Sequence, residues 1–169
     1  NEPIFMQPKL DGVRCVIQYE DIPTTTHFQL ENKQVKAYSR TGKEWKNIDH
    51  ILFNLKPWFA LNPNVILDGE LYNHDLKDDF EKIISLVRKQ KPDDIDMIES
   101  ADLVQFHCYD IIDETKTFEE RNNFITQAVP RNHCVKHVLT TKVTNESDAK
   151  EMHAVNLKCG FEGSILRTN

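Results

Sequence analysis

The chain has 169 residues, of which 39% are hydrophobic, and it carries a formal net charge of −6 at neutral pH. This length suffices for one domain with a buried core, and no apolar run approaches the roughly 20 residues that a membrane-spanning helix needs. The acidic balance argues against a freestanding nucleic-acid binder, although 16 acidic and only 6 basic residues between positions 68 and 120 show that the charge is uneven.

The cysteines are widely separated and form no C-x-x-C pair, so neither a zinc site nor a disulfide framework is predicted. They are Cys15, Cys108, Cys134 and Cys159. Reduced thiols in an intracellular protein are the expectation.

The first elements flank a cluster of charged residues. Apolar residues at 4–6 and 13–17 predict two strands that form a hairpin turned at Asp11-Gly12. Lys9 then lies at a strand end and Arg14 on the next strand. An amine such as that of Lys9 is a nucleophile for carbonyl or phosphoryl chemistry, but a free lysine has a pKa of about 10.4 and needs help to lose its proton. Asp11 favours the protonated amine, so it is better interpreted as a ligand binder. The alternative is a surface turn with an ion pair.

The next segment predicts a second pair of strands and a polar turn. His27–Leu30 and Gln34–Tyr38 are strand-like, and Ser39-Arg40-Thr41-Gly42 follows them. Arg40, the hydroxyls and the backbone N–H groups of such a turn can hold a phosphate, and an ordinary loop is the alternative.

A helix and a short strand lead to a second acidic motif. The spacing of Ile48–Leu55 predicts a helix that ends at Pro57, and Val65–Leu67 predicts a buried strand running into Asp68-Gly69-Glu70-Leu71-Tyr72. A carboxylate after a buried strand, next to glycine, can reach a ligand hydroxyl or a metal. A solvated turn acid is the alternative.

The middle of the chain predicts a helix and a central strand. Asp75–Lys91 has one apolar face, and its charge order suits the helix dipole, while the acidic stretch at 92–101 predicts a helical turn or loop. In the strand Leu103–Ile112, alternation places Phe106, Cys108 and Asp110 on one face and Gln105, His107 and Tyr109 on the other. An aromatic on a sheet face can stack on a purine, although most such residues are core.

The last third predicts two helices and two strand-like segments. Thr117–Glu120 is a capping box that begins a helix through Ala128, and residues 135–143 are strand-like. Ser147–Cys159 predicts an amphipathic helix with Gly160 after its end, and Phe161–Arg167 predicts the last strand. Glu162 enters that strand beside Gly163, where a ligand or metal can approach the backbone.

Taken together, these motifs carry a family resemblance. Lys9 to Arg14 resembles the K-x-D-G-x-R nucleotidyltransferase signature of ATP-dependent DNA ligases, in which the lysine attacks the α-phosphate of ATP. The S-R-x-G, D-G-E-L, aromatic-Asp and E-G-x-x-x-[RK] elements follow in the family's order. The complete D-G-x-R favours a DNA ligase over an RNA ligase or an mRNA-capping guanylyltransferase. An inactive nucleotide- or DNA-binding module is the non-enzymatic alternative.

The resemblance implies a fold and a set of roles. The fold class is α+β, with antiparallel sheets flanked by helices in an ATP-grasp-like nucleotidyltransferase arrangement and the nucleotide between the sheets. Lys9 is the nucleophile that forms Lys–AMP. The resemblance implies that Asp11, Arg14 and Glu70 bind the ribose, with Gly12 in the same motif, and that Tyr109 stacks on adenine, with Phe106 as the alternative. It also implies that Glu162 and Glu70 bind Mg²⁺ or Mn²⁺. Arg40 is expected to bind the nick phosphate.

The resemblance also implies partners and domain limits. ATP and nicked duplex DNA are the expected partners of a monomer, with no membrane. Residues 1–169 are expected to be an adenylation domain that stops before the family's K-x-K motif and OB-fold domain, so little or no sealing by this segment alone is predicted.

Overall fold

The computed structural model describes residues 3–23 and 32–169. Within these residues it contains eight strands, five α-helices and a 3₁₀ turn at His74–Leu76. The strands are β1 Ile4–Lys9, β2 Val13–Asp21, β3 Lys33–Tyr38, β4 Leu67–Tyr72, β5 Gln105–Ile111, β6 Val135–His137, β7 Thr141–Val143 and β8 Gly163–Thr168. The helices are α1 Asp49–Leu61, α2 Phe80–Val87, α3 Asp94–Leu103, α4 Phe118–Ala128 and α5 Glu146–Lys158. The predicted strand His27–Leu30 lies outside the described residues.

The strands form two sheets, and the chain passes between them immediately after Lys9. A small sheet has the order β7-β1-β8, and a large sheet has the order β3-β2-β4-β5-β6. The predicted hairpin at Asp11-Gly12 is therefore wrong, because β1 and β2 belong to different sheets. A Cβ on Gly12 would lie 2.4 Å from the carbonyl oxygen of Leu71. The glycine thus lets the crossover pass against β4 rather than form a tight turn.

Pairing in both sheets is antiparallel, with one exception. Strands β5 and β6 run parallel, with Phe106 opposite Val135. The expectation of antiparallel sheets is correct for the small sheet and for β2 to β5, but wrong for this edge. The predicted single strand at 135–143 divides in two, because β6 joins the large sheet and β7 pairs with β1 in the small one.

The main core lies between the large sheet and the helices α1 and α2. Its fully buried side chains come from both layers and include Ile17, Leu67, Leu71 and Phe106 from strands, and Ile51, Leu55, Phe59, Ile83 and Leu86 from helices. The small sheet is covered by α5, and α4 packs against β5. No helix within the described residues has the length and apolarity needed to cross a membrane.

Helix α1 continues past Pro57 to Leu61, so the predicted end at Pro57 is wrong. A proline inside a helix removes the hydrogen bond to the carbonyl four residues earlier. That residue is Phe53, whose side chain is 78% exposed, so water can replace the lost donor on this face. Leu55 and Phe59 are fully buried on the opposite side, and their burial favours continuation of the helix.

Other boundaries also differ from the sequence prediction. Strand β4 begins at Leu67 and contains the whole Asp68–Tyr72 motif, which was expected to follow the strand. The predicted helix at 75–91 shortens to α2, and the acidic stretch forms a true helix, α3, with a capping box at Asp93. The capping box at Thr117 and the left-handed Gly160 after α5, at φ +88°, are confirmed.

Candidate functional site

The sheet crossover brings Lys9 against a residue from the far end of the chain. Lys9 is the last residue of β1 and pairs with Gly163 of β8. Its Nζ donates to Oε1 of Glu162 at 2.7 Å, and the backbone N–H of Glu162 donates to the Lys9 carbonyl at 3.2 Å. The side chains of Lys9 and Glu162 are 49% and 45% exposed, so the amine is held but accessible to a ligand.

A cleft of about 630 Å³ opens on one face of the large sheet, with Gly12, three residues after Lys9, in its wall. Its walls combine the predicted motifs with residues of the polar turn and the last strand. They are Gly12, Val13, Arg14, Ser39, Arg40, Thr41, Trp45, Asp68, Glu70, Tyr109 and Arg167. Of the predicted site residues, the cleft therefore contains Gly12, Arg14, Arg40, Glu70 and Tyr109. Lys9, Asp11 and Glu162 are not among its walls.

Arg14 is fixed by a carboxylate that sequence reasoning did not assign to the site. Its Nε and one terminal nitrogen donate to the two oxygens of Asp68 at 3.0 and 2.8 Å. Asp68 is only 7% exposed, and this hydrogen-bonded pair raises the pKa of Arg14. The signal for Asp68 was its place in the motif, two residues before Glu70, which faces Arg14 across β2 and β4.

A bulge in β5 decides which residues reach the cleft. Gly69 lies opposite Cys108 whereas Asp68 lies opposite Asp110, so Tyr109 is an extra residue on β5. Side chains around a bulge are re-aimed, and cross-strand partners share a face. Asp110 therefore shares the cleft face with Asp68, and the predicted alternation that grouped it with Phe106 and Cys108 is wrong.

Only one of the two candidate aromatics lies at the cleft. Phe106 is fully buried in the core beside Gly69, so the alternative that it stacks on the base is wrong. Tyr109 lines the cleft, and the guanidinium carbon of Arg167 lies 5.2 Å from its ring centroid. Burial, followed by the nearby Asp68 and Glu70 carboxylates, raises the pKa of Tyr109, which keeps its hydroxyl protonated.

Glu70 has the most unusual electrostatic environment. Burial, followed by the neighbouring Asp68 charge, raises the pKa of Glu70 to about 7, and Arg14 opposes the shift. Asp11 and Glu162 raise it further, so both lie within electrostatic range although neither lines the cleft. Within residues 3–23 and 32–169, the Glu70 carboxylate has no hydrogen bond or ion pair. A carboxylate in this setting is suited to a ligand hydroxyl or a cation.

The polar turn places a cation at the rim. The Ser39 N–H donates to the Lys43 carbonyl at 2.8 Å, and Gly42 adopts φ +80°, so the turn is closed on itself. Arg40 is exposed and, in the described part of the chain, forms no ion pair. It is therefore available to an anion that approaches the cleft.

A family model described as the ATP dependent DNA ligase domain matches residues 1–169. The chain belongs to this family. The DNA ligase of African swine fever virus, in two isolates, is 28% identical over 170 residues, which cover 98% of this chain and 36% of the viral protein. This ligase-family chain thus spans about a third of the length of these relatives.

Solved ligase structures show the same fold as this DNA ligase domain. The Chlorella virus DNA ligase-adenylate has a TM-score of 0.64 at 20% identity, covering 98% of this chain and 53% of that one. The ATP-dependent DNA ligase of bacteriophage T7, in complex with ATP, has a TM-score of 0.63 at 16% identity, covering 98% and 56%. The expected α+β nucleotidyltransferase fold and the family assignment are therefore confirmed.

Proposed function

We propose that this domain catalyses the adenylation step of an ATP-dependent DNA ligase, with Lys9 as the nucleophile. The observation that carries the proposal is the Lys9 amine at the end of β1. It is held 2.7 Å from the Glu162 carboxylate and is half exposed, three residues before Gly12 in the wall of a cleft with nucleotide-sized volume. Once deprotonated, such an amine is a nucleophile for phosphoryl transfer.

The reaction has a simple balance at Lys9. A bond forms between Nζ and the α-phosphorus, the α–β phosphoanhydride bond breaks, and pyrophosphate leaves with the bonding electrons. Nζ gives up its proton to solvent, to which the half-exposed amine has access. AMP then passes to the 5′-phosphate of a DNA nick, and the 3′-hydroxyl displaces it to seal the strand.

Other residues bind the nucleotide. Arg14, fixed by Asp68, and Glu70 face each other across two strands and would hold the ribose together with Asp11. Tyr109 offers an aromatic surface for adenine, and stacking contributes about 1–3 kcal/mol per base. Gly12 permits the close approach of the crossover to β4 that brings these groups together.

The carboxylates fit a divalent cation that arrives with the nucleotide. The described residues contain no group of three or more His, Cys, Asp or Glu side chains suited to a metal ion. Magnesium, however, usually takes one or two carboxylates plus substrate phosphates. Glu70, whose carboxylate has no cation partner among the described residues, and Glu162 would hold Mg²⁺ or Mn²⁺. The bound ion neutralises phosphate charge.

The DNA partner is assigned to the rim of the cleft. Arg40, exposed in the polar turn, is proposed to bind the nick phosphate as a charge-assisted contact. We propose that the protein acts as a monomer inside the cell, in DNA replication, repair or recombination. The family match supports DNA as the substrate.

The proposal is tested by intact mass spectrometry of the complete gene product. The protein is stripped with pyrophosphate and recharged with ATP, GTP or NAD in the presence of magnesium. A one-AMP adduct from ATP is expected in the wild type and in the control Lys158→Ala, whose lysine is exposed on α5, but not in Lys9→Ala. A GMP adduct would indicate a capping enzyme, and no adduct from any donor would leave a binding module.

The substrate is tested in a second assay with the charged protein. Nicked duplex DNA and nicked RNA of the same sequence are supplied at equal concentration. Faster joining of DNA is expected, whereas joining confined to RNA would assign the protein to the RNA ligases.

A further inference from the structure

Asp110 is a buried carboxylate that forms ion pairs with two arginines but accepts hydrogen bonds from only one of them, Arg121. Asp110 is 7% exposed. Its Oδ1 accepts from Arg121 Nε at 2.7 Å and from the Ile111 N–H at 2.8 Å, and its Oδ2 accepts from an Arg121 terminal nitrogen at 3.2 Å. The other arginine, Arg167, has its nearest terminal nitrogen 3.8 Å from Oδ2, beyond hydrogen-bond distance.

Arg121 is itself firmly held and does not line the cleft. It projects from α4, its side chain is 19% exposed, and its remaining terminal nitrogen donates to the Lys116 carbonyl at 2.7 Å. Hydrogen bonding to Asp110 raises the pKa of Arg121. Arg121 therefore supplies the positive charge that the buried Asp110 requires.

Arg167 is placed for a different use. It extends from β8 into the wall of the cleft, with its guanidinium over the rings of Tyr109 and Phe118. Its Nε donates to Oε1 of Gln7, which is neutral, at 3.2 Å, and among the described residues its ion pair is the long one to Asp110 at 3.8 Å. By contrast, Arg14, the other arginine on the sheet wall, is committed to Asp68.

Elementary electrostatics links the two arginines. A buried carboxylate that loses its partner recruits another cation or becomes protonated. Arg167 needs to move only slightly to reach Asp110 from 3.8 Å. Because Arg121 already donates to both carboxylate oxygens, Asp110 has little capacity left to bind Arg167.

We propose that Arg121 is a positioning residue that, by neutralising Asp110, keeps the charge of Arg167 available to the phosphates of the nucleotide. The inference rests on the proposed function, because it concerns the same cleft. It assigns to α4, which contributes no wall residue, a role in the affinity for the charged part of the ligand.

A comparison of ATP with adenosine, which lacks the phosphates, separates binding of the phosphate charge from binding of the nucleoside. ATP and adenosine are titrated into the complete gene product, with the fluorescence of Trp45 in the cleft wall as the signal. In Arg121→Gln, Asp110 draws Arg167 away. Losing one charge-assisted contact weakens ATP binding by about tenfold, and adenosine binding is unchanged. Arg121→Lys keeps the positive charge and is expected to fall between the variant and the wild type.

A double variant distinguishes positioning from a structural effect. In Asp110→Asn/Arg121→Gln, the neutral amide no longer competes for Arg167, so ATP affinity returns towards that of the wild type. Arg88→Gln, at an exposed arginine after α2, is the control and is expected to change nothing. Equal weakening of ATP and adenosine, or a double variant no better than Arg121→Gln, would overturn the inference.

A crystal structure of Arg121→Gln shows the position of the Arg167 side chain independently of any activity measurement. Arg167 is expected to lie within hydrogen-bond distance of Asp110 and to have left Gln7. An unchanged Arg167 would overturn the inference even if the wild type forms the AMP adduct. Absence of ATP binding by the wild type would overturn the proposed function instead, while this structural result would still test the rearrangement of Arg167.

Discussion

His107 shows how burial beside the cleft sets a single side chain's protonation. It lies on β5 opposite Glu70, with Nε2 2.9 Å from the Gln105 side-chain oxygen and its ring edge-on to Tyr72 at 5.2 Å. Burial, followed by the charges of Lys136 and His74, lowers the pKa of His107 from 6.5 to about 4. The folded protein therefore holds this imidazole neutral, as expected for a sheet histidine.

This shift predicts a pH dependence of stability. As the pH falls, the unfolded chain binds a proton at His107 at a higher pH than the folded chain does. The contribution of His107 to the free energy of unfolding is therefore complete above pH 6.5 and is lost as the pH falls towards 4. The loss amounts to at most about 3 kcal/mol. Urea unfolding at pH 7 and pH 4.5 is expected to show a smaller pH difference in His107→Gln than in the wild type.

Other histidines do not obscure this comparison. Burial also lowers the pKa values of His50 and His137, so both contribute with the same sign in the wild type and in the variant. Equal pH differences in the two proteins would show that His107 is not held neutral by the fold.

At the scale of elements, the bulge between β4 and β5 shapes the site. It adds Tyr109 to β5 and places Asp110 beside Asp68. Gly69 lies at this point, and a Cβ there would approach the His107 carbonyl oxygen at 2.3 Å and Cε2 of Phe106 at 2.6 Å. The glycine is required by the close approach of a neighbouring backbone, since its own φ is not positive.

Gly69→Ala is therefore expected to lower the free energy of unfolding much more than a glycine substitution that only strains the backbone. A backbone oxygen cannot give way as a flexible side chain can, so Gly69→Ala should cost about 3 kcal/mol of unfolding free energy. Gly42→Ala is the matched control. Its φ is +80° with nothing within 4 Å of the added Cβ, so the cost should be about 1 kcal/mol. Chemical denaturation in which the two variants lose equal stability would contradict the steric argument.

At the scale of the whole molecule, the site is assembled by the crossing of two sheets. The small sheet supplies Lys9 and places Glu162 beside it, and the large sheet supplies Arg14, Glu70 and Tyr109. The crossover at Gly12 is the covalent link between these groups. The position of Lys9 relative to the cleft therefore depends on the packing of both sheets, and not on a local turn.

Sequence patterns predicted several of the residues at the cleft and most of the helices, but not how the strands pair. Of the residues that the motifs predicted, Gly12, Arg14, Arg40, Glu70 and Tyr109 line the cleft and Lys9, Asp11 and Glu162 do not. Amphipathic spacing and capping boxes located α4 and α5 well. The sheet membership of β1 and β2 was mispredicted because a turn dipeptide looks the same in a hairpin and in a crossover. The bulge at Tyr109 and the pairing of Arg14 with Asp68 depend on contacts between strands that are far apart in the chain. The motif singles out Asp68 as a candidate, but local patterns do not indicate its partner or the bulge.

The central claim is that Lys9 is the residue that receives AMP. The complete gene product is incubated with ATP and magnesium and then digested at neutral to basic pH, where a lysine phosphoramidate survives. Tandem mass spectrometry is then used to locate the AMP. One AMP is expected on the peptide that contains Lys9, and none in Lys9→Arg. AMP on a different residue, or an adduct that persists in Lys9→Arg, would contradict it.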